Sequence, residues 1–189
     1  MLGQMVKLIP PPDFGRATMA DIMAFAGADA LPPVDDWNPA HCGSIDIRIM
    51  ADGRWFHEGS EIRRPAMVRL FSRVLRRESD GSHVLVTPAE RLTIMVDDAP
   101  FIAVELREEA GALIFRMSTG DIIIAGPQHP LRLRDGPAGR LPYLHVRGPD
   151  DRPLEARLAR PVYYQLAELA DEHGCVNSGG VAFTIGDVA

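Results

Sequence analysis

The apolar and polar positions of this chain change period several times, and each change marks an element. Residues 1–14, "MLGQMVKLIPPPDF", sustain no pattern and run through three prolines, which predicts an irregular arm. From Arg16 to Ala30, residues Met19, Ile22, Met23, Phe25 and Ala26 recur at helical spacing, so a short amphipathic helix is expected. "LPPVDDWNPAHCG" reads as a loop, with Trp37 anchoring it on the core. "SIDIRIM" then alternates Ile45, Ile47 and Ile49 with Asp46 and Arg48, the mark of a half-buried strand. Asp52-Gly53 is a tight-turn signal, and "RWFHEG" is the return strand of its hairpin.

Pro65 opens a helix. Met67, Val68, Leu70, Phe71, Val74 and Leu75 form its apolar stripe, Arg69, Arg73 and Arg76 its opposite, solvated face, and "SDG" at 79–81 its stop. "HVLVT", "LTIMV", "FIAVEL", "ALIFRM" and "DIIIAG" follow at the spacing of an antiparallel meander. "LRLRDGPAGRLPYLHVRG" predicts a second hairpin with a longer loop. "ARPVYYQLAELADEHG" predicts a second helix with Val162, Tyr163, Leu166, Leu169 and Ala170 on one face and Gly174 capping past its end. The tail offers a Gly-rich turn and a last strand.

One order of elements occurs twice: strand, hairpin, Arg-Pro, helix. Gly53-Arg54 matches Gly139-Arg140, His57 matches His145, and Arg64-Pro65 matches Arg160-Pro161. The expected fold class is therefore α+β, with two related domains built on a duplicated hairpin-helix unit and antiparallel sheets. The expected division is an N-terminal arm and short helix (1–36), a first domain (37–98) and a second (99–189). A cleft between two such units is a preferred place for a small-molecule site.

Composition narrows the function classes. The chain has 189 residues, 46% of them apolar and 24% charged, as in soluble globular proteins. Its net charge of −6 gives no overall basic field for DNA or RNA and opposes anionic membranes. Of its 20 basic residues only Lys7 is not arginine, which codon bias explains in larger part. The two cysteines make no disulfide framework, no signal peptide is recognisable, and no stretch is long and apolar enough to span a membrane. A cytoplasmic location is expected.

Candidate chemistry is sparse. His57-Glu58 falls short of the zinc-protease pattern, because Glu61 stands where the second histidine belongs. His41-Cys42 and His173-x-Cys175 would make a zinc site or a Cys-His pair only if the fold brought them together. Asp97-Asp98 point to opposite sides of an extended chain and mark a turn. Ser178-Gly179-Gly180 is a plain Gly-rich turn with a loose likeness to a phosphate loop. "EIRRPAMVR" sets Arg63 and Arg64 before a helix N-terminus and Arg69 one turn inside it, where an anion would be welcome; pairing with Glu58 and Glu61 is the alternative. "PYLHVRG" spaces Tyr143, His145 and Arg147 two apart, one face of a strand, able to stack on and bind a planar anion.

These segments resemble the DUF1285 family of bacterial proteins of unknown function. The resemblance rests on "CGSIDIRIMADGRWFHEGSEIRRPAMVRLFSRVLRRE", "LVTPAE", "VDDAPFIAVEL", "LPYLHVRG" with "EARLARPVYYQLAEL", and the closing "SGGVAF", and covers Trp37 to about Phe183. It implies two related α+β domains, the C-terminal one loosely similar to pleckstrin-homology-like folds. It also implies a suspected nucleotide-like ligand at the domain interface and a suspected role in signal transduction. The family often carries an aromatic before the final Ser-Gly-Gly and another in the next strand, where this chain has Asn177 and Val181-Ala182.

The leading expectation is a binding module for a small, nucleotide-like anion, held by His57, Arg64, Arg69, Tyr143, His145, Arg147 and Ser178. No cofactor, metal or catalytic residue is assigned. Two alternatives stay open: a protein-interaction domain, as a homodimer or with a partner, and an enzyme using His57 or His145 as general base.

Overall fold

The computed structural model describes residues 31–186, so the arm and the helix expected over 16–30 lie outside it. The described chain begins with a loop containing a short turn at Val34–Asp36. The first sheet contains β1 (His41–Ile49), β2 (Trp55–His57), β3 (Ser60–Glu61), β4 (Leu75–Arg77), β5 (His83–Val86) and β6 (Glu90–Val96). Helix α1 (Pro65–Arg73) lies between β3 and β4. The second sheet contains β7 (Phe101–Glu109), β8 (Ala112–Met117), β9 (Ile122–Ile124), β10 (Leu131–Gly136), β11 (Gly139–Arg147) and β12 (Leu154–Leu158). Helix α2 (Arg160–Glu168) and a hairpin of β13 (Cys175–Ser178) and β14 (Val181–Thr184) complete it.

The two sheets have one topology. Their orders are β3-β2-β1-β6-β5-β4 and β10-β11-β12-β7-β8-β9. Each joins two three-stranded antiparallel meanders by a parallel pair, β1 with β6 and β7 with β12. The architecture is thus two domains of mostly antiparallel, mixed sheets with few helices. The duplication runs along a different register from the one the Arg-Pro helices indicate. Gly53 turns the first hairpin of its sheet, whereas Gly139 follows the turn between the fourth and fifth strands of the other. A whole strand, β12, separates that hairpin from α2. The five expected meander strands also divide: β6 and β7 belong to different sheets.

The first hairpin forms where the Asp-Gly signal stands. Gly53 adopts φ +85°, and Ile49 pairs with Trp55 across the turn. Strand β1 buries Ile47 and Ile49 on one side, as its alternation requires. The second hairpin is tighter than expected, with Gly136 pairing Gly139 across Pro137-Ala138.

Helix α1 departs most from its sequence pattern. It ends at Arg73, and Leu75–Arg77, expected as helix, is the edge strand β4. Arg69, Ser72, Arg73 and Arg76 are buried, while Met67 and Leu70 are 41% and 53% exposed. Val68 and Phe71 still pack on the core, so the helix is wedged rather than laid flat on one apolar face. Long arginine stems can be enclosed while their heads keep polar partners, which hydropathy alone does not register.

One apolar cluster runs through both domains. Ile47, Ile49, Trp55 and Leu75 of the first share it with Phe101, Phe115, Leu144 and Val162 of the second. The tip of the first hairpin abuts the second domain: a Cβ on Gly53 would collide with Ile102 Cγ1.

Candidate functional site

A hollow of about 160 Å³ opens between the domains. The first domain contributes Arg73 at the end of α1 and Leu75, Arg76 and Arg77 of β4. The second contributes Arg147, Gly148, Pro149, Arg152 and Leu154, and the leading loop adds Leu31, Pro32, Val34 and Asp35. Among the described residues, five guanidinium groups therefore surround a space with one acid in its wall. This arrangement follows from β4 being a strand: had 75–77 continued the helix, Arg76 and Arg77 would point elsewhere.

These arginines are braced, not splayed. Arg76 donates to the carbonyls of Val34 (2.7 Å) and Trp37 (2.8 Å) and pairs with Glu78 at 2.8 Å. Arg152 meets Asp35 at 3.3 Å. Arg77 reaches toward the Pro153 carbonyl at 3.5 Å. Arg147 crosses the interface to donate to the Ser72 carbonyl, and its guanidinium lies 5.1 Å from the Phe101 ring centre. Burial pulls Arg147 down to about 10; the negative charge of Asp121 opposes that and the positive charge of Arg73 adds to it. An anion entering here would offset the cost of enclosing that charge.

A second, larger hollow of about 440 Å³ lies inside the first domain, between α1 and strands β1 to β3. Its wall is formed by Ile45, Ile47, Ile62, Met67 and Phe71, and His57, Ser60, Glu61, Arg63 and Arg64 stand around its mouth.

The seven residues expected to hold a ligand are divided among several places. His57 and Arg64 line the first-domain hollow, and Arg147 lines the inter-domain one. Arg69 is buried in α1. Tyr143, fully buried, donates its hydroxyl to Asp98 at 2.8 Å under the Arg134 guanidinium, which sits 3.7 Å from the ring centre. His145 sets its ring nitrogens against the carbonyls of Gln128 (3.1 Å) and Gly148 (2.9 Å). Ser178, also fully buried, donates to the Ala125 carbonyl at 2.7 Å and accepts from the Leu113 amide at 2.8 Å, tying the last hairpin to the second sheet. Residues 142–146 of β11 are buried without alternation, and a register shift separates His145 from Arg147. The Tyr-x-His-x-Arg row is thus largely interior to the second sheet, with only Arg147 reaching a hollow. The polar groups of Tyr143, His145 and Ser178 are engaged within the fold.

Sequence reasoning missed Arg73, Arg76, Arg77 and Arg152 as lining residues. Arg73 and Arg76 were expected on a solvated helical face. The short "VLRR" run before "ESDGSHVLV" could have been read as one arm of a hairpin. For Arg152, in a loop after "GPD", no local signal exists. Among the described residues no group of three or more His, Cys, Asp or Glu side chains is arranged to hold a metal, and no helix is long and apolar enough to cross a membrane.

Residues 32–99 match the model of the DUF1285 N-terminal domain, described as a domain of unknown function, and residues 100–185 match the DUF1285 C-terminal domain, described as a protein of unknown function. The crystal structure of a DUF1285 family protein from Silicibacter pomeroyi is 41% identical, with TM-score 0.74, over 88% of this chain and 95% of that one. That of a DUF1285 family protein from Shewanella baltica is 26% identical, with TM-score 0.51, over 66% of this chain and 91% of that one. No curated protein matches the chain. With both domain models matched in order across nearly all the described residues, the chain belongs to the DUF1285 family.

Proposed function

We propose that this protein is a binding module for a small anionic ligand, nucleotide-like in carrying a phosphoryl group, held between its two domains and read out in signalling. The observation that carries the reading is the ring of Arg73, Arg76, Arg77, Arg147 and Arg152 around a space walled, among the described residues, by a single acid, Asp35. Guanidinium groups match phosphate oxygens in fork geometry, and an enclosed site of one sign concentrates counter-charge. At about 160 Å³ the hollow suits the phosphoryl end of such a ligand. The remainder would lie over the rim. The family resemblance implies a pleckstrin-homology-like second domain; under this proposal that domain supplies Arg147 and Arg152. Because both domains contribute, occupancy would stiffen their junction, which gives a binding event a mechanical output.

Thermal unfolding in inorganic phosphate, ADP and sodium chloride at matched ionic strength tests this. Phosphate or ADP is expected to stabilise the wild type, by about 2.7 kcal/mol at a hundred times Kd. Arg147→Gln is expected to abolish that response. Equal stabilisation of both proteins, or none of the wild type, would overturn the reading.

A second reading, contact with another protein, is favoured by Met67 and Leu70, which stand exposed on neighbouring positions of α1. Sedimentation of wild type against Leu70→Glu decides whether this face joins two copies.

A further inference from the structure

We infer that the hollow between α1 and the first sheet is a second binding site, specific for a small amphipathic carboxylate with an aliphatic or aryl body. It differs from the inter-domain hollow in every respect that selects a ligand. Its volume of about 440 Å³ falls within the roughly 300–1,000 Å³ of small-molecule pockets. Its exposed lining surface is mostly apolar, from Ile45, Ile47, Ile62, Met67 and Phe71, and offers a hydrated, multiply charged molecule little to replace its water. Multiply charged phosphates are excluded on that ground, whereas an apolar body is welcome.

Charge at the mouth fixes the other end of the ligand. Glu61 and Arg63 approach to 3.4 Å and largely cancel. Arg64 makes no ion pair or hydrogen bond among the described residues, so one positive charge is in surplus. Arg64 is also the N-cap of α1, its side chain making no capping bond, so the helix dipole adds its positive end beside the same spot. His57 stands at the mouth as a further donor. A single carboxylate on a hydrocarbon body complements this arrangement: the body displaces water from the isoleucines and Phe71, and the head meets Arg64.

The probe is octanoate, titrated calorimetrically into the full chain, with 1-octanol as its uncharged counterpart. Saturable one-to-one binding of octanoate is expected. Arg64→Gln should weaken it about tenfold and leave 1-octanol unaffected. Met67→Glu, which sets a charge in the apolar wall, should weaken octanoate and 1-octanol alike. Arg132→Gln, which removes a distant surface arginine, should change neither, and excess inorganic phosphate should leave octanoate bound. Absence of saturable binding, equal affinity in wild type and Arg64→Gln, or displacement by phosphate would each overturn the assignment.

Discussion

Tyr143 donates its hydroxyl to Asp98 at 2.8 Å, and Arg134 bonds the same carboxylate oxygen at 3.1 Å while covering the tyrosine ring. Asp98 belongs to the short connection between β6 and β7, so this triad fastens the link between the two sheets to β11 of the second. Burial, then the bond to Asp98 and its charge, push the Tyr143 phenol up to about 12, against the opposing charges of Arg134 and Arg157. The native state thus holds this proton more tightly than the unfolded chain does. The stability it contributes is whole below about pH 10 and is lost as pH rises towards 12. Tyr143→Phe is expected to cost about 1–3 kcal/mol at neutral pH and to flatten that alkaline loss, both read from urea unfolding. A neutral-pH stability equal to wild type would show that Asp98 finds another donor.

Gly53 is the point where the first hairpin meets the second domain. Its φ of +85° disfavours any side chain, and an added Cβ would collide with Ile102. Gly53→Ala is expected to destabilise the protein by about 2–4 kcal/mol, strain and overpacking acting together. Hydrogen exchange should show faster opening of β2 and β7 than of β5. Uniform acceleration of all strands would place the damage elsewhere.

Ser178 separates a structural role from a ligand role. Ser178→Ala leaves the Leu113 amide and the Ala125 carbonyl unpaired in the interior, a loss of about 2 kcal/mol. Because Ser178 does not line the inter-domain hollow, the phosphate response should survive in full. A variant of normal stability with no phosphate response would restore this serine to the binding site.

His83 supplies an acid-sensitive element. Burial, and then the charges of Arg77 and Arg134, pull it down to about 4. A histidine held neutral in this way contributes stability above about pH 6.5, its ordinary value, and loses it as pH falls to 4. The full effect is up to about 3 kcal/mol. His83→Leu should be less sensitive to acid between those limits in denaturant titrations; an unchanged slope would assign the acid response to other groups.

Short-range signals in the sequence were sound where one residue dictates geometry. Gly53 turned its hairpin, Pro65 opened its helix, and Ile45, Ile47 and Ile49 alternated as a strand should. The failures share a cause: partners distant in sequence decide them. Nothing local to Arg76 announces that it will cap the Val34 and Trp37 carbonyls, and nothing in "YLHVR" announces that strands on either side will enclose it. The polar row looked like a ligand surface because its side chains are polar, yet Asp98, Gln128 and Gly148 take up Tyr143 and His145. Arg147 escapes that fate because the register shift after His145 turns it toward the other domain. His57 and Arg64 were expected at the inter-domain site with the others; the structure sets both in the lining of the first-domain hollow, the hairpin end and the helix start being only seven residues apart.

The parallel pairing at the centre of each sheet also governs how the chain comes off the ribosome. A meander of β1 to β3 can pair as soon as it emerges, but the inner edge of β1 stays bare until β6 is made, and that of β7 until β12 is made. Each six-stranded sheet is therefore closed by its last strand, a high-contact-order step that is slow and leaves a sticky central edge exposed while the nascent chain waits.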